Sequence, residues 1–441
     1  MRYKDQNVAV LGAGLSGMAA ALLLKDEGAN VTVLDSADQT KLLKSTIDTL
    51  RAQNIGVICG EAADRDSSNY SFVVLSPGID PASSLAQNFS SRKIDIIGEL
   101  ELGWRSAETP VIAITGTNGK TTTTEMLAQM LNDCGHKTIA CGNIGKPLSE
   151  VAREKIKYDV LTVEVSSFQL ETINSFRPSV GLWLNFAPDH LDRYPSVAEY
   201  RAAKLRLFDY QTSDDVAIVN AVEDLPPLKA RKITFSAYSN RADFRLSEGA
   251  IVFENKPVLR LSQTKLRGSH NIENLMATLA AGHARGLAFE KMIPSLSAYE
   301  PRPHRCEFVR NIGGVDYIND SKATNLDAVE KALLAQTKPV VLIAGGKDKG
   351  FNFEPLRDLV KEKVRFSILI GEMAERIARD WKDIVKTELA TSLADAVARA
   401  HAAAKEGEVV LFSPGTSSFD MFKSYADRGD QFRALVQALP Q

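Results

Sequence analysis

The sequence has 441 residues, a length that suggests roughly three domains at about 150 residues each. It is 44% hydrophobic and 24% charged, as in globular proteins, and its net charge of −2 argues against partners selected by bulk charge, such as duplex DNA or an anionic membrane. Four cysteines without a CxxC pair exclude a disulfide scaffold and a cysteine-rich zinc module, and they indicate a reducing compartment.

The first part of the chain alternates short apolar runs with helical patterns. Strands are predicted over 7–12, 30–35 and 71–78, and a helix over 15–27 is ended by Gly28. Strands separated by helix-length segments are typical of parallel βαβ units. We therefore expect a Rossmann-like domain over residues 1–98.

A second α/β block begins at Pro110. It starts with a strand over 111–115, a glycine-rich turn and a helix over 120–132, and further buried strands are predicted over 158–167 and 180–185. This pattern predicts a central P-loop ATPase-like domain with a mostly parallel sheet, and we place it at residues 99–302.

The segment YEPRPHR, with Pro301 and Pro303, marks a boundary. Beyond it a helix is predicted over 393–405, and strands are predicted over 315–320, 339–346, 366–371 and 408–415. These elements predict a third, Rossmann-like domain over residues 303–441. The expected fold class is thus α/β, with three domains in series.

The first glycine-rich loop, GAGLSG, places Gly12, Gly14 and Gly17 between a strand and a helix, and Asp35 ends the next strand. Glycines let backbone N–H groups approach a pyrophosphate, and the helix N-terminus favours its negative charge. The motif alone leaves NAD, FAD and a UDP-sugar open. A tight turn without a ligand is a further alternative.

The second glycine-rich loop, TGTNGKTTT, follows a buried strand and opens a helix. Gly116 and Gly119 permit a phosphate-wrapping turn, Lys120 can neutralise β- and γ-phosphate oxygens, and Thr121 offers a hydroxyl to Mg²⁺. The spacing G-x-x-G-K-T is shorter than the general Walker pattern. A threonine-rich capping turn is the alternative reading.

Two polar residues follow later strands of this block. Glu164 ends an apolar strand, where a carboxylate is costly unless it binds a cation, either Mg²⁺ or a nearby Lys or Arg. His190 follows the next strand, and ligands collect at the carboxyl ends of parallel strands. A loop histidine is otherwise most often a surface residue.

Twelve motifs distributed over the chain resemble those of the Mur ligase family. They are GAGLSG, SPGI (76–79), TGTNGKTT, GNIG (142–145), EVSSFQLE (164–171), DHLDRY (189–194), YRAAK (200–204), GSHNIEN (268–274), PHR (303–305), NDSKATN (319–325), GGKDKG (345–350) and SPGTSSFDMFKSY (413–425). SSFQLE and the C-terminal SSFD-x-F segment point to the D-glutamate-adding branch. The DNPR motif of the branch that adds the third residue is absent.

The resemblance implies an ATP-dependent ligase of peptidoglycan precursor synthesis, and hence of cell-wall biogenesis, cell shape and cell division. Its substrates would be UDP-N-acetylmuramoyl-L-alanine and D-glutamate, joined through an acyl phosphate. The UDP substrate would be held by Gly12, Gly14, Leu15, Ser16, Asp35, Ser36, Gly78, Asn143 and His190. The resemblance also implies a cytoplasmic enzyme, which we expect to be a monomer without nucleic-acid partners or membrane insertion.

The resemblance also assigns the ATP, metal and amino-acid sites. ATP would bind Gly116, Thr117, Asn118, Gly119, Lys120, Thr121, Thr122, Asn271, Arg305 and Asp320. Two Mg²⁺ ions would be held by Thr121, Glu164, His190 and Lys204, the last as a carbamate, and the catalytic residues would be Lys120, His190 and Lys204. D-Glutamate would bind Lys322, Thr324, Lys349, Ser418, Phe419 and Tyr425. Residue type alone favours a solvated Lys204.

Other functions remain open from the residues themselves. An NAD(P)-dependent oxidoreductase is supported by GAGLSG and Asp35, but it leaves TGTNGKTT and the C-terminal domain unexplained. A ligase of the same architecture, such as a folylpolyglutamate synthase or another Mur enzyme, is a second alternative, and a UDP-binding first domain disfavours the folate enzyme. A non-catalytic binding module is disfavoured because Lys120, Thr121 and Glu164 are all present.

Overall fold

The structure is a computed structural model that describes residues 1–42, 44–191, 193–266, 268–300 and 302–440. Pro301 of the predicted boundary and Asp192 of the DHLDRY motif lie outside these residues. The described residues divide into two compact units. The first comprises 1–186, 200–259 and 275–296, and the second comprises 187–199, 260–274 and 297–441.

The first sheet is formed by the N-terminal residues. Its strands are β1 (Asn7–Leu11), β2 (Asn30–Asp35), β3 (Gly56–Cys59), β4 (Phe72–Leu75) and β5 (Ile96–Gly98), and the helices are α1 (Leu15–Asp26), α2 (Lys44–Ala52), α3 (Glu61–Asp64), α4 (Ser84–Ser90) and α5 (Glu99–Ala107). All strands run parallel in the order β3-β2-β1-β4-β5. Along β1, Val8 and Val10 pack into one core and Ala9 and Leu11 into another, because side chains alternate across a sheet covered on both faces.

The second sheet carries the second glycine-rich loop. Its strands are β6 (Val111–Thr115), β7 (Ala140–Gly142), β8 (Leu161–Glu164), β9 (Val180–Trp183), β10 (Val216–Asn220), β11 (Arg231–Ser236), β12 (Phe244–Ser247), β13 (Ala250–Phe253) and β14 (Lys256–Arg260). The helices are α6 (Lys120–Asp133), α7 (Leu148–Arg153), α8 (Ser167–Leu170), α9 (Val197–Leu205), α10 (Ser269–Ala284) and α11 (Phe289–Ala298). The order is β14-β13-β12-β11-β10-β9-β6-β8-β7, parallel from β7 to β12 and antiparallel between β12 and β13.

The third sheet lies in the second unit. Its strands are β15 (Glu307–Ile312), β16 (Val315–Asn319), β17 (Val340–Gly345), β18 (Val364–Ile370), β19 (Lys386–Leu389) and β20 (Val409–Phe412), and the helices are α12 (Leu326–Leu334), α13 (Arg357–Lys363), α14 (Ala374–Asp380), α15 (Leu393–Ala403) and α16 (Tyr425–Gln437). The order is β15-β16-β20-β17-β18-β19, with β15 antiparallel to β16 and the other pairs parallel. Asn325, Ser392 and Ser424 cap the N-termini of α12, α15 and α16 with their side chains, as these residue types favour.

The predicted α/β class and the mostly parallel central sheet are confirmed. Short 3₁₀ turns at Gln39–Lys41, Arg206–Phe208, Leu261–Gln263 and Glu354–Leu356 complete the described elements. Among the described residues, no helix is both long and apolar enough to cross a bilayer. The cysteines are free thiols. The domain boundaries near 98 and 302 stay predictions.

Candidate active site

The first glycine-rich loop lies between β1 and α1, at the carboxyl edge of its sheet. Gly12 has a φ of 96°, and a Cβ there would lie 2.9 Å from the Ile79 side chain. A Cβ on Gly17 would collide with the carbonyl oxygen of Gly12. Gly14 begins α1 without a side-chain cap, and Leu15 beside it is 66% exposed. The loop therefore needs glycine for close packing and presents helix N–H groups to an anion.

Asp35, Ser36 and Gly78, which are also predicted for the UDP substrate, lie around this loop, whereas Asn143 and His190 belong to other parts of the chain. The buried Asp35 carboxylate accepts hydrogen bonds from the backbone N–H groups of Ala13 and Ala37, both at 2.8 Å. Ser36 donates to Asp64 at 2.6 Å, and the turn containing Gly78 follows β4, the neighbour of β1. Asp35 thus braces the loop from its side.

The second glycine-rich loop is held by the chain around it. Gly116 has a φ of 155°, and a Cβ there would lie 3.0 Å from Leu184. The Asn185 side chain accepts from the N–H of Asn118 at 2.9 Å and donates to its carbonyl at 3.1 Å. Gly119 begins α6 in the left-handed conformation, and no side chain caps the helix. The alternative of a threonine-capped turn is therefore wrong.

Two lysine ammonium groups meet at one carbonyl of this loop. Lys120 Nζ donates to the carbonyl oxygens of Gly116 at 2.8 Å and Thr117 at 2.9 Å. Lys204 Nζ donates to the same Gly116 oxygen at 2.9 Å and lies 4.8 Å from the Tyr200 ring centroid. Lys204 is 2% exposed, so the alternative of a solvated helix lysine is wrong. Two ammonium groups that share one acceptor, one half-buried and one buried, create a strong positive field at the loop.

Glu164 is the last residue of β8, and only one oxygen of its buried carboxylate has a hydrogen-bond partner among the described residues. Its Oε1 accepts from Asn143 Nδ2 at 2.8 Å, and the Asn143 backbone N–H donates to the Glu164 carbonyl at 2.9 Å. A Cβ on Gly142 would collide with that carbonyl, so glycine is required beside it. The carboxylate is buried and, in the part of the chain that is described, Oε2 has no hydrogen-bond partner. The alternative of a Glu164 paired with Lys or Arg finds no support among the described ion pairs.

The arrangement fits a hard cation such as Mg²⁺. A buried carboxylate oxygen without a partner carries a large desolvation cost that a cation would offset. Over the described ranges, no cluster of three or more His, Cys, Asp or Glu side chains is arranged to hold a metal. Further oxygen ligands must then come from hydroxyls, phosphates or a modified side chain, and Thr121 opens α6 next to Lys120.

His190 belongs to the second unit, with Asp189. It has a φ of 54°, its backbone N–H donates to Asp189 Oδ1 at 2.8 Å, and its side chain is 37% exposed. Asp189 is buried and pairs with Lys349 at 2.8 Å. Burial raises the pKa of Asp189, but the charges and hydrogen bonds of Lys349 and His190 outweigh it and hold the pKa below its usual range.

Asp320 is one of the residues of the second unit that are predicted to bind ATP. It is buried, and it accepts from Ser413 Oγ at 2.9 Å and from the Cys306 N–H at 3.1 Å. Burial raises the pKa of Asp320 to about 7, against those hydrogen bonds and the Arg305 charge. Asn271 lies near the start of α10 and accepts from Asn274 at 3.4 Å.

The residues predicted to bind D-glutamate lie on loops of the third sheet, apart from Tyr425, which begins α16. Lys322 Nζ lies 3.9 Å from the centroid of the Tyr425 ring, and Lys349 Nζ lies 3.5 Å from the carbonyl oxygen of Thr324. Ser418 is buried, whereas Phe419 is 68% exposed. Ammonium, hydroxyl and N–H donors are the groups that bind carboxylates.

The sequence analysis missed Arg428. Its guanidinium is buried and donates to Ser321 Oγ at 3.0 Å, to the Ser321 carbonyl at 2.8 Å and to the carbonyls of Thr416 and Ser417. Burial lowers the pKa of Arg428 to about 10. It braces the loops that carry Lys322 and Ser418. It lies one helical turn after the SPGTSSFDMFKSY motif, a position that spacing alone gives no reason to select.

Three family models match consecutive parts of the chain. They are "Mur ligase MurD-like, N-terminal domain" over 6–98, "Mur ligase middle domain" over 114–282 and "Mur ligase, glutamate ligase domain" over 304–416. A UDP-N-acetylmuramoylalanine--D-glutamate ligase of Geotalea daltonii is 42% identical over 449 residues, which span 100% of this chain and 99% of that protein. The chain belongs to the Mur ligase family. The predicted resemblance is confirmed.

Other relatives agree with this membership. Proteins with the same name from Nitratidesulfovibrio vulgaris and Caldanaerobacter subterraneus are 39% and 36% identical and cover 98% and 100% of this chain, which covers 96% and 100% of theirs. Among solved structures, MurF from Acinetobacter baumannii has a TM-score of 0.62 at 16% identity and covers 97% of this chain and 93% of its own. A pseudomurein peptide ligase from Methanothermus fervidus has a TM-score of 0.61 at 18% identity, covering 98% and 99%.

Membership in the Mur ligase family makes the chain an ATP-dependent ligase, as predicted. The distant structures support the fold alone, with α/β domains in series. The oxidoreductase and the non-catalytic module are therefore wrong.

Proposed function

We propose that this Mur ligase joins D-glutamate to UDP-N-acetylmuramoyl-L-alanine in peptidoglycan precursor synthesis. The observation that carries the proposal is the convergence of Lys120 and Lys204 on the Gly116 carbonyl, at a loop shaped for phosphates. Full-length similarity to D-glutamate ligases supports the choice of amino acid. We assign the UDP part to residues 1–98, ATP to 99–302 and D-glutamate to 303–441, in a cytoplasmic monomer.

The first step activates a carboxylate. The free acid group is a poor acyl donor because its leaving group would be oxide, and transfer of a phosphoryl group from ATP gives it a good one. Gly116 to Thr122 would bind the ATP phosphates, and Asn271, Arg305 and Asp320 would contact adenine and ribose or the phosphates. Lys120, already directed onto the loop, would stabilise charge on the transferring phosphoryl group.

Lys204 is suited to carry a carbamate. Its ammonium is buried and lies on the same carbonyl oxygen as Lys120, so the two positive charges repel each other. Reaction of the neutral amine with CO₂ forms an N–C bond and releases a proton, and the product is an anion with two oxygen donors. That anion would attract Lys120 and offer Mg²⁺ a hard ligand.

Two Mg²⁺ ions would use the remaining oxygen and nitrogen donors. Glu164 and Thr121 would hold the first, His190 would help to hold the second, and the carbamate of Lys204 would supply a further oxygen ligand. The hydrogen bond from Asn143 leaves Glu164 Oε2 as the oxygen for the cation. Bound Mg²⁺ supplies charge neutralisation for the phosphoryl oxygens.

The second step is capture by an amine. The nitrogen of D-glutamate forms a C–N bond to the acyl carbon and loses a proton, the C–O bond to phosphate breaks, and orthophosphate leaves. The two carboxylates of D-glutamate are not consumed, and the donors at Lys322, Thr324, Lys349, Ser418, Phe419 and Tyr425 would bind them. The UDP substrate would be held by Gly12, Gly14, Leu15, Ser16, Asp35, Ser36, Gly78, Asn143 and His190.

A substrate screen tests the proposal. Phosphate release from ATP is measured with Mg²⁺ and UDP-N-acetylmuramoyl-L-alanine while amino acids are supplied one at a time. We expect release with D-glutamate, and none when either D-glutamate or the UDP substrate is omitted. Release that ignores D-glutamate but responds to another amino acid would assign the enzyme to a different branch of the family.

A further inference from the structure

One acidic residue without an assigned role joins two loops of the amino-acid site. Asp189 lies in the segment 187–199, which packs with the second unit although the residues on either side of it belong to the first. Its carboxylate is buried, with 6% of the residue exposed. Oδ1 accepts from Lys349 Nζ and from the His190 N–H, both at 2.8 Å, and Oδ2 accepts from Asn325 Nδ2 at 3.2 Å.

Two of the three contacts of Asp189 engage a predicted D-glutamate residue or its neighbour in the chain. Lys349 is such a residue itself, and its side chain is 15% exposed. Asn325 follows Thr324 and also caps α12, since its Oδ1 accepts from the Ala328 N–H at 2.9 Å. Both ends of the Asn325 amide are therefore engaged, and its orientation is fixed. The two oxygens of Asp189 tie the loop at 324–325 to the loop at 349.

A half-buried ammonium such as that of Lys349 is held in one orientation by such a partner. An ammonium has three N–H donors, and Asp189 uses one of them. The carboxylate offsets the desolvation cost of Lys349 and directs its remaining donors. Without this partner the lysine loses a fixed position for its bond to the carboxylate of the amino acid, and loss of a hydrogen bond between charged groups weakens binding on the order of 10- to 100-fold.

We propose that Asp189 is a positioning residue of the amino-acid site, which holds the Lys349 ammonium and the Thr324 loop at the separation that one carboxylate of the incoming amino acid requires. This inference rests on the proposed function, since it assigns Lys349 and Thr324 to D-glutamate. Asp189 itself makes no bond to the reacting atoms. Its removal should weaken the binding of the amino acid more than it slows the chemical step.

Asp189→Asn tests the inference in the full-length enzyme. The amide keeps the size of the side chain but loses the charge, and its NH₂ group faces either Lys349 or Asn325, both of which are donors. We expect KM for D-glutamate to rise on the order of 10- to 100-fold. KM for UDP-N-acetylmuramoyl-L-alanine, and kcat at saturating D-glutamate, should change less than about threefold on the same reasoning.

Two further variants separate positioning from folding. Asn325→Ser keeps a good capping residue on α12 but removes the donor to Asp189, so it should raise KM for D-glutamate severalfold without lowering the thermal unfolding midpoint. Asp316→Asn is the matched control, because Asp316 forms an ion pair with Lys338 in the same unit, away from the predicted site residues. It should leave all three KM values unchanged.

The outcomes are distinct. If the wild-type enzyme shows no phosphate release that depends on D-glutamate, the proposed function is wrong and this inference falls with it. If the wild-type enzyme does show it, but both Asp189→Asn and Asn325→Ser keep the wild-type KM for D-glutamate, the positioning role is wrong. Equal increases in the KM values of all substrates, with a lower unfolding midpoint, would also overturn it.

Discussion

The two glycine-rich loops of the first unit share a shape but differ in charge. Both follow a buried parallel strand and open a helix whose N-terminus carries no side-chain cap. The carboxylate of Asp35 lies against the first loop, whereas the ammonium groups of Lys120 and Lys204 lie against the second. In the first loop the Ala13 N–H already donates to the Asp35 carboxylate. The second loop instead lies against two positively charged side chains.

The side chains around each loop are expected to adapt one kind of backbone turn to two different ligands. Backbone N–H groups alone suit a diphosphate held in place, as in the UDP part of the substrate. A phosphoryl group in transfer gains charge on its oxygens, and a lysine ammonium group and Mg²⁺ neutralise that charge. The first loop is therefore expected to bind, and the second to bind and catalyse.

Lys120→Ala should have the largest effect, because it removes the charge that faces the transferring phosphoryl group. We expect turnover to fall on the order of 10²- to 10³-fold. The measurement is kcat for phosphate release, with Lys232→Ala as the control, since that lysine is exposed on β11 of the same sheet. Unchanged turnover in Lys120→Ala would discard the assignment of the P-loop.

Lys204→Ala should lose most activity, about 10²-fold, because the proposed carbamate ligand of Mg²⁺ would disappear with the side chain. Short carboxylic acids such as acetate or formate should restore part of the activity, since they return the missing oxygens to the space left by the side chain. The assay is kcat with and without the added acid. A fully active variant would remove Lys204 from the metal site.

Asn143→Ala tests whether the Asn143 side chain orients the Glu164 carboxylate. Loss of the hydrogen bond to Glu164 Oε1 frees the carboxylate to rotate, and we expect Mg²⁺ affinity in the presence of ATP to weaken about tenfold. Binding of Mn²⁺ in place of Mg²⁺, followed by electron paramagnetic resonance, reports this without turnover. Wild-type Mn²⁺ affinity would show that Asn143 does not orient Glu164.

Asp35→Ala tests the independence of the first loop. The Ala13 and Ala37 N–H groups lose their acceptor, and KM for the UDP substrate should rise about fivefold because the loop is less well ordered. KM for ATP should stay at its wild-type value. A change in both would mean that the two loops do not have separate ligands.

Glu99→Gln should leave the kinetic constants unchanged and alter stability with pH. Glu99 joins the two sheets of the first unit, since its carboxylate accepts from the Ser149 N–H at 2.7 Å. Burial raises the pKa of Glu99 to about 7, against the Ser149 hydrogen bonds. The folded state keeps the proton that the unfolded state loses near its ordinary pKa, so this contribution to the free energy of unfolding is present at low pH and is lost as pH rises to about 7.

The loss amounts to at most on the order of 3 kcal/mol, and the glutamine variant cannot show it. Urea unfolding at pH 5 and pH 8 measures the difference between the two proteins. We expect the variant to gain stability relative to the wild-type enzyme as pH rises. Parallel profiles would show that Glu99 keeps the same proton in both states.

Much of the fold could be predicted from the sequence, because fully buried parallel strands such as β6 and β17 appear as continuous apolar runs between helical patterns. The strands between residues 231 and 260 were missed. β11, β12 and β14 carry polar or exposed residues such as Arg231, Arg245 and Lys256, and their apolar runs are short.

The site was predictable where a motif fixes local geometry, as at Gly116 and Lys120. The site was less predictable where a side chain contacts a residue that is distant in the sequence. The burial of Lys204 depends on the carbonyl of Gly116, 88 residues away, and Asp189 meets Lys349 across 160 residues. Residue type favoured the wrong environment for Lys204, since lysine is mostly exposed.

The central claim is that the second loop holds a triphosphate whose terminal phosphoryl group passes to a carboxylate before an amine captures the acyl carbon. It is tested most directly by labelling that carboxylate of the UDP substrate with ¹⁸O and analysing the orthophosphate after turnover with ATP and D-glutamate. We expect one labelled oxygen in each phosphate released. Orthophosphate without label, at normal product formation, would contradict the acyl phosphate and the account built on it.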